Sequence, residues 1–256
     1  MRALVTNDDG IDSVGIRTLA RVVASAGLET LVAAPHKEFS GASASFTALQ
    51  EDGRLVLHER RWPEVAAVRV LGVEASPGFI AFSAAQGAFG PPPDLVVSGV
   101  NHGPNVGNAI LHSGTVGAAL TGSAYGAKAL AVSLATARPS EFETAAKVAE
   151  EALTWVLEHG EPGMVLNVNV PNVPLAELRG LRVAPLAGFG AVQADIGEAG
   201  EGYVTMTLSE IKAHEDDGTD AALLARGWAT ATALRAPCEA RDVDLSALSL
   251  AVGHGS

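Results

Sequence analysis

The first 35 residues of this chain alternate between apolar and amphipathic segments, which limits the folds open to it. Residues 2–6 and 28–34 are short apolar runs of the kind that form buried strands. Between them, residues 14–26 carry apolar side chains at helical spacing, and Gly27 follows as a stop signal. A strand, a helix and a strand within so short a stretch form a βαβ unit, whose strands belong to a parallel sheet.

The alternation of predicted strands and helices continues to residue 172. Further strands are predicted at 54–58, 66–71, 94–98, 129–134 and 164–170, and helices at 78–87, 115–125 and 142–157. The remaining residues are less regular, with a helix, a strand and a terminal helix predicted at 220–226, 228–234 and 243–250. We therefore expect one α/β domain over residues 1–256, with a doubly wound, mostly parallel core at 1–172 and an appended segment at 173–256.

The composition restricts the partners of the protein. The chain has 256 residues and 48% hydrophobic content, which is enough to bury a substantial core. Its 29 acidic and 17 basic residues give a net charge of -12. We expect no nucleic-acid polymer as partner, because binding to a phosphate backbone depends on clustered Lys and Arg. A small anionic substrate is compatible with this charge, since a bound metal ion reverses the local field.

Cysteine content and hydropathy bear on the compartment. Cys238 is the only cysteine, so no disulfide forms within the chain and a reducing compartment is expected. No apolar run approaches the ~18 residues that cross a membrane. The apolar stretch at 2–6 is too short for the core of a signal peptide. These observations predict a soluble, cytoplasmic protein with no membrane partner.

Three polar clusters follow predicted strands, at the point where each strand ends. They are Asn-Asp-Asp-Gly at 7–10, Ser-Gly-Ala-Ser at 40–43 and the glycine- and asparagine-rich run at 99–105. In an open parallel sheet, ligands bind beyond the carboxyl ends of the strands. We therefore expect these clusters to meet at one edge of the sheet.

The adjacent carboxylates Asp8 and Asp9 are candidate metal ligands. Where the chain leaves the strand and Gly10 frees the backbone, both carboxylates can turn towards one point. Two carboxylates so close repel each other unless a cation lies between them, and oxygen ligands favour Mg, Mn or Ca. Ser40 and Asn101 are neutral oxygen ligands able to complete the coordination.

A competing interpretation of the same residues is purely structural. In this interpretation, Asp9 or Asp12 only caps the following helix, and the Asp-Gly step at 9–10 is only a turn. Ser40 and Asn101, each taken alone, are ordinary turn and loop residues.

A candidate anion site precedes the helix predicted at 115–125. The run Ser113, Gly114 and Thr115 opens this helix, and a helix N-terminus presents free N–H groups and the positive end of the helix dipole. Asn105, in the loop before it, carries an amide able to donate to a phosphate oxygen. The competing interpretation is a plain Ser or Thr N-cap.

The seven histidines show no pair at metal-ligand spacing along the chain. His102 and His112 lie in the region of the polar loop, where contact with substrate and simple surface placement are both open.

Taken together, these stretches resemble the family of the stationary-phase survival protein SurE, a metal-dependent 5'-nucleotidase. The resemblance rests on residues 6–11, 34–35, 40–43, 93–105, 113–119 and 166–171, with a weaker match at 218–220. It covers most of the chain in the right order. Two places depart from the family pattern, namely His36-Lys37, where the family usually has Asp-Arg, and the region 188–203.

The resemblance implies a Rossmann-like domain whose C-terminal segment exchanges between subunits of a homodimer or homotetramer. It implies one divalent cation per subunit, Mg or Mn, with the ligands Asp8, Asp9, Ser40 and Asn101. It also implies phosphate contacts from Asn105, Ser113, Gly114 and Thr115. The implied reaction is hydrolysis of nucleoside 5'-monophosphates, and by extension of 3'-monophosphates and short polyphosphate, with Asp8 and Asp9 as the catalytic residues.

Other functions stay open at this point. A nucleoside hydrolase also carries aspartates after its first strand, although its run surrounds a proline that is absent here. A weakly active protein that binds nucleotide or metal is the second alternative, because His36-Lys37 departs from the family pattern. An aspartyl-phosphate enzyme is disfavoured, since its carboxylates lie two positions apart. Which of Asp8 and Asp9 accepts a proton is also open.

Overall fold

The structure is a computed structural model that describes residues 1–136, 138–188, 192–200, 203–210 and 218–235, with the single residues 237 and 242. The predicted terminal helix at 243–250 and Cys238 lie outside this part of the chain. Among the helices that are described, none is both long and apolar enough to span a membrane.

The described residues form thirteen strands, five α-helices and three short 3-10 helices. The strands are β1 (Arg2–Thr6), β2 (Glu29–Pro35), β3 (Gln50–Glu51), β4 (Arg54–Leu55), β5 (Leu57–Arg60), β6 (Arg69–Val73), β7 (Leu95–His102), β8 (Lys128–Leu134), β9 (Met164–Val170), β10 (Leu181–Val183), β11 (Val192–Gly200), β12 (Tyr203–Glu210) and β13 (Ala229–Arg235). The α-helices are α1 (Val14–Ser25), α2 (Pro77–Ala85), α3 (Gly114–Ala124), α4 (Phe142–His159) and α5 (Asp220–Ala225). The 3-10 helices are Pro63–Val65, Gly107–His112 and Leu175–Glu177.

Nine strands form one sheet in the order β10-β13-β9-β8-β7-β1-β2-β6-β5. The six central strands, from β9 to β6, run parallel to their neighbours. Antiparallel pairing occurs between β13 and β9 and between β5 and β6. The predicted mostly parallel, doubly wound α/β fold is therefore confirmed.

The helices cover both faces of the sheet. Because successive side chains of a strand point to opposite faces, Leu4 and Val5 of β1 belong to different apolar clusters. Val5 shares a cluster with residues of α1 and α4, and Leu4 shares one with Ile80 of α2 and Ala118 of α3. Complete burial of each such Leu, Val or Ile side chain contributes roughly 1.5–3 kcal/mol to stability.

The strand order changes direction at β1. The chain moves from β1 to β2 on one side, and later returns to place β7 on the other side. The crevice outside the carboxyl ends of β1 and β7 is thus a topological switch point, where doubly wound folds bind their ligands. Residues 7–10 follow β1 at this crevice and residues 99–102 end β7 there.

Several regions differ from the sequence prediction. The strand predicted at 54–58 is divided between β4 and β5, and the strand predicted at 66–71 is β6 at Arg69–Val73. The predicted loop at 99–114 begins later, because β7 continues to His102 after a register shift and Asn101 pairs with Ser133 of β8. A 3-10 helix, Gly107–His112, then leads into α3. In the region of weak periodicity, β11 and β12 form an antiparallel hairpin. Backbone pairing between strands supplies the stability of such segments, and it leaves little trace in local periodicity.

Candidate active site

Asp8 lies directly after β1 and is 4% exposed. Its Oδ1 accepts a hydrogen bond from the hydroxyl of Thr115, at the start of α3. Its backbone carbonyl accepts the N–H of Phe39 at 2.7 Å, which ties the loop after β2 to the end of β1. Burial raises the pKa of Asp8, while the Thr115 hydroxyl and the backbone N–H groups of Thr115 and Gly114 act in the opposite direction.

Gly114 allows α3 to begin against Asp8. A Cβ on Gly114 would lie 2.8 Å from both Cβ and Oδ2 of Asp8, which is closer than real side chains approach. The positive end of the α3 dipole therefore faces this carboxylate. Ser113 is the N-cap of α3 and accepts the N–H of Val116 at 3.0 Å, as the capping interpretation requires. Phosphate binding by Ser113, Gly114 and Thr115 stays a prediction.

Asp9 is the second carboxylate, and its side chain is 7% exposed. Its Oδ2 accepts the backbone N–H of His102 at 3.1 Å, and its Oδ1 lies 3.6 Å from Nδ1 of the same residue. Burial raises the pKa of Asp9 to about 7, and the charge of Asp8 adds to the shift. Burial lowers the pKa of His102, so this imidazole is mostly neutral at neutral pH. The two carboxylates therefore lack a cationic partner among the ion pairs of the described residues.

The helix-capping interpretation of the aspartates is wrong. Ser13 is the N-cap of α1, and its hydroxyl accepts from the first turn of that helix. The side-chain amide of Asn7 donates to Ser13 Oγ at 2.8 Å and to the carbonyl of Gly10 at 3.1 Å. Gly10 has a φ of +95°, a conformation that a side chain would strain. Asn7 thus organises the turn, and Asp9 and Asp12 are not needed for it.

Ser40 lies on the loop after β2 and lines the same cleft as Asp9. This cleft has a volume of about 560 Å³, and its lining includes Asp9, His36, Lys37, Glu38, Ser40 and His102. The Ser40 hydroxyl donates to Oε1 of Glu38 at 2.7 Å. Glu38 is a further carboxylate at the cleft that the sequence did not single out. Its nearness to Asp9 also acts to raise the pKa of that residue.

Asn101 lies near the end of β7, one residue before His102. Its amide nitrogen donates to the carbonyl of Gly103 at 2.7 Å, so its side-chain orientation is held by the loop. The side-chain carbonyl oxygen is the atom of Asn101 suited to a metal ion. Its ligand role stays a prediction.

Of the two histidines in this region, His102 contacts Asp9 and His112 is exposed.

Asn105 is fixed by side chains from two strands. Its N–H donates to Asn169 Oδ1 at 2.7 Å, and its carbonyl accepts from the amides of Asn167 and Asn169, both at 2.9 Å. Its own amide donates to Ser133 Oγ at 2.8 Å. Alternation within β9 places both asparagines on one face, and this is the signal from which their positioning role could have been inferred. The phosphate contact of Asn105 stays a prediction.

Asp220 joins the C-terminal segment to the loop beyond Asn105. Fully buried at the start of α5, it accepts the N–H of Gly107 at 2.9 Å and that of Ala187 at 2.8 Å. Its Oδ1 also accepts the N–H of Ala221 at 2.8 Å. Sequence reasoning assigned no role to Asp220 beyond the weak match at 218–220. A buried carboxylate with three backbone donors is a structural anchor of this loop.

The comparisons with known proteins point to one family. The family model described as "Survival protein SurE" matches residues 3–190. The chain belongs to the SurE family. The 5'-nucleotidase SurE of Aeromonas hydrophila subsp. hydrophila is 33% identical over 262 aligned residues, which cover 100% of this chain and 98% of that protein. The 5'-nucleotidase SurE of Stenotrophomonas maltophilia strain K279a is 42% identical over 190 residues, 73% of this chain and 70% of that protein.

A solved SurE structure shares the fold. The crystal structure of the SurE protein from Aquifex aeolicus matches with a TM-score of 0.79 and 28% identity, covering 94% of this chain and 96% of that one. The family expected from the sequence is thus confirmed. The expectation of an enzyme agrees with the name that these SurE relatives carry.

Proposed function

We propose that this SurE-family protein is a metal-dependent 5'-nucleotidase, which hydrolyses nucleoside 5'-monophosphates to nucleoside and phosphate. One observation carries the proposal. The side chains of Asp8 and Asp9 are both shielded from solvent at the switch point of the sheet, where Asp8 lies against the start of α3 and Asp9 faces the cleft. The curated relatives, named 5'-nucleotidases, support the same activity.

The donor set fits a hard divalent cation. Burial raises the pKa of both Asp8 and Asp9, and within the described chain no lysine or arginine forms an ion pair with either. Mg or Mn would be held by these carboxylates, with Ser40 and Asn101 as neutral oxygen ligands. When bound, such a cation polarises a phosphoryl oxygen and lowers the pKa of a bound water.

The protein groups around the cation orient the substrate and move the proton. The start of α3 and the Thr115 hydroxyl hold Asp8 in place. Asp9 lines the cleft, and we therefore assign proton transfer to Asp9 rather than to Asp8. Asn105 and residues 113–115 would contact the phosphate, where N–H donors stabilise negative charge.

The proposal also covers further substrates, the cellular location and the assembly of subunits. Activity on 3'-monophosphates and short polyphosphate belongs to it, because metal and N–H donors recognise the phosphoryl group rather than the base. The composition, with one cysteine, supports a cytoplasmic location. We further propose a single domain whose segment 173–256 exchanges between subunits of a homodimer or homotetramer.

A phosphate-release screen tests the activity. Nucleoside 5'- and 3'-monophosphates and tripolyphosphate are each assayed with Mg, with Mn and with a chelator. The variants are Asp9→Asn and, as a matched control, Asp12→Asn, whose side chain lies in the same turn and is 64% exposed. We expect metal-dependent release that Asp9→Asn loses by about 100-fold or more and that Asp12→Asn keeps.

Each alternative function predicts a different result in this assay. Free base in place of free phosphate would identify a nucleoside hydrolase. Nucleotide binding without any metal-dependent phosphate release would identify a binding protein. Full activity of Asp9→Asn at saturating metal would refute the site assignment while leaving the activity itself standing.

A further inference from the structure

Three side chains from adjoining strands meet beside the cleft. His36 follows β2, His58 lies in β5 and Glu74 follows β6. One ligand atom of each lies within 4.8 Å of those of the other two, and all three residues are partly buried. His58 Nε2 is 3.1 Å from Glu74 Oε1, and the rings of His36 and His58 stack with centroids 4.1 Å apart.

The sheet register brings this group together. β6 lies between β2 and β5, and its Gly72 pairs with Ala34 on one side and with His58 on the other. A Cβ on Gly72 would lie 3.2 Å from His36 Nδ1, so the absence of a side chain there leaves room for the imidazole. The backbone N–H of His36 donates to the carbonyl of Val73 at 2.8 Å. The group is therefore held by strand pairing rather than by a flexible loop.

The chemistry of the group differs from that of the aspartate site. Two imidazole nitrogens and one carboxylate oxygen suit Zn²⁺ and similar borderline cations, whereas Mg²⁺ prefers oxygen alone. In a tetrahedral zinc site with bonds near 2.0–2.1 Å, ligand atoms lie about 3.3 Å apart. The contact between His58 and Glu74 already has this spacing, and a ligand atom of His36 lies within 4.8 Å of both, so this imidazole has to move closer when the ion binds.

We propose that His36, His58 and Glu74 form a second metal site, which binds a cation of the Zn²⁺ class and leaves a fourth position for water. The bound ion would tie together the ends of β2 and β6 and the strand β5. His36 begins the loop that carries Glu38 and Ser40 into the cleft. The site would therefore brace one wall of the active-site cleft.

Arg60 is the residue that opposes the cation. Its Nη2 lies 3.3 Å from His36 Nδ1, and its Nε lies 3.8 Å from Asp12 Oδ1. A guanidinium donates only, so it occupies the lone pair of His36 and repels a metal ion nearby. Binding requires Arg60 to turn away towards Asp12. Replacing Arg60 by a neutral side chain should thus strengthen binding.

Zinc titration of the full-length protein tests the site. The Asp8→Asn/Asp9→Asn double variant removes the carboxylates of the other site, and Zn²⁺ and Co²⁺ are then titrated by calorimetry, with the visible spectrum of Co²⁺ as a report of nitrogen ligation. In this background we compare His58→Gln, Glu74→Gln and Arg60→Gln. His159→Gln is the matched control, because His159 lies 3.5 Å from Glu158 without belonging to such a triad.

We expect one equivalent of Zn²⁺ in the double variant, and no competition from excess Mg²⁺. Loss of a residue that only supports a metal ligand weakens metal affinity by up to about 100-fold. Loss of a ligand itself should weaken it by at least that factor. His58→Gln and Glu74→Gln should therefore weaken binding by that factor, His159→Gln should leave it unchanged, and Arg60→Gln should tighten it. Absence of zinc binding in the double variant, or unchanged affinity in His58→Gln, would overturn the proposal. Tighter zinc binding in Arg60→Gln would be a direct effect on the site, because misfolding weakens binding.

Discussion

Asp8 and Asp9 are neighbours in the sequence but differ in their surroundings. Asp8 is turned towards α3, where Thr115 donates to it, and Asp9 is turned towards the cleft and His102. Because both are buried, each holds its proton more strongly than an exposed aspartate does. A cation that replaces these protons would remove the cost of burying two negative charges. Metal binding at this pair, as we propose it, would therefore be coupled to proton release.

The pH dependence of stability in the metal-free protein follows from Asp9. Its carboxyl keeps the proton up to a pKa of about 7 in the folded state, against an ordinary value of 3.8. The folded state binds more protons than the unfolded chain between these values, so stability is highest at the acid end and falls as the pH rises. Urea unfolding with a chelator, at about pH 5 and about pH 7.5, measures the change. Asp9→Asn should lose less stability between these two pH values than the unmodified protein does. An equal loss in both proteins would contradict the raised pKa of Asp9.

Gly114→Ala tests the close approach of α3 to Asp8. The new Cβ would lie 2.8 Å from the Asp8 side chain, and overpacking of this kind costs about 1–3 kcal/mol. We expect metal affinity and phosphate release to fall by about tenfold or more, since the strain falls on a proposed ligand. Gly188→Ala is the control, because a Cβ there meets nothing within 4 Å. Equal activity of the two variants would show that the Asp8 carboxylate can move away from a new Cβ without loss of function.

At the scale of elements, the loop between β7 and α3 is held from outside itself. Ser133 of β8 and Asn167 and Asn169 of β9 bind Asn105, and Asp220 of α5 binds Gly107. If this loop contacts the phosphate as we propose, these hydrogen bonds hold it in one geometry before substrate arrives. This is the arrangement that preorganised electrostatic catalysis requires.

Asp220→Asn tests that anchoring. The amide keeps the shape of the carboxylate but loses the charge and one acceptor oxygen, so at least one of the N–H groups of Gly107 and Ala187 is left without its partner. We expect a loss of about 1.5–3 kcal/mol in the free energy of unfolding, measured in urea. Phosphate release should fall through kcat, because the residue acts by positioning the loop. Normal kcat in a destabilised protein would restrict Asp220 to a structural role.

At the scale of the whole molecule, β10 is an edge strand of the sheet that the described residues form. Val183 is 88% exposed and Leu181 is 43% exposed, and in the described sheet β10 pairs with β13 alone. Natural proteins usually protect an edge strand with charge, a bulge or a covering element. Apolar side chains on an edge of this kind favour contact with another subunit.

The oligomeric state tests this surface. Light scattering coupled to size exclusion should show a homodimer or homotetramer for the unmodified protein. Leu181→Lys/Val183→Lys should shift it towards monomer, because burying a lysine without a partner is costly. Trp155→Lys, which changes an exposed apolar residue on α4, should leave the assembly unchanged. A monomer at every concentration before any substitution would show that the subunit-exchange prediction is wrong.

The sequence by itself determined the class of fold and the elements around the crevice. β1 at 2–6 and β9 at 164–170 have the predicted bounds, because a buried strand is a short apolar run with polar residues or proline at its ends. The polar clusters were recognisable for the same reason, since they interrupt that pattern at strand ends. Local periodicity also placed α1 and α4 to within two residues.

Only the tertiary structure decided the partners and charges of the site. The Thr115 that donates to Asp8 lies 107 residues away in sequence, and Asp220 reaches Gly107 across 113 residues. His36, His58 and Glu74 have no local pattern at all, because the register of three strands brings them together. Hydrophobic periodicity depends on the nearest turn or strand, whereas burial, hydrogen-bond partners and pKa depend on what packs against a residue from far along the chain.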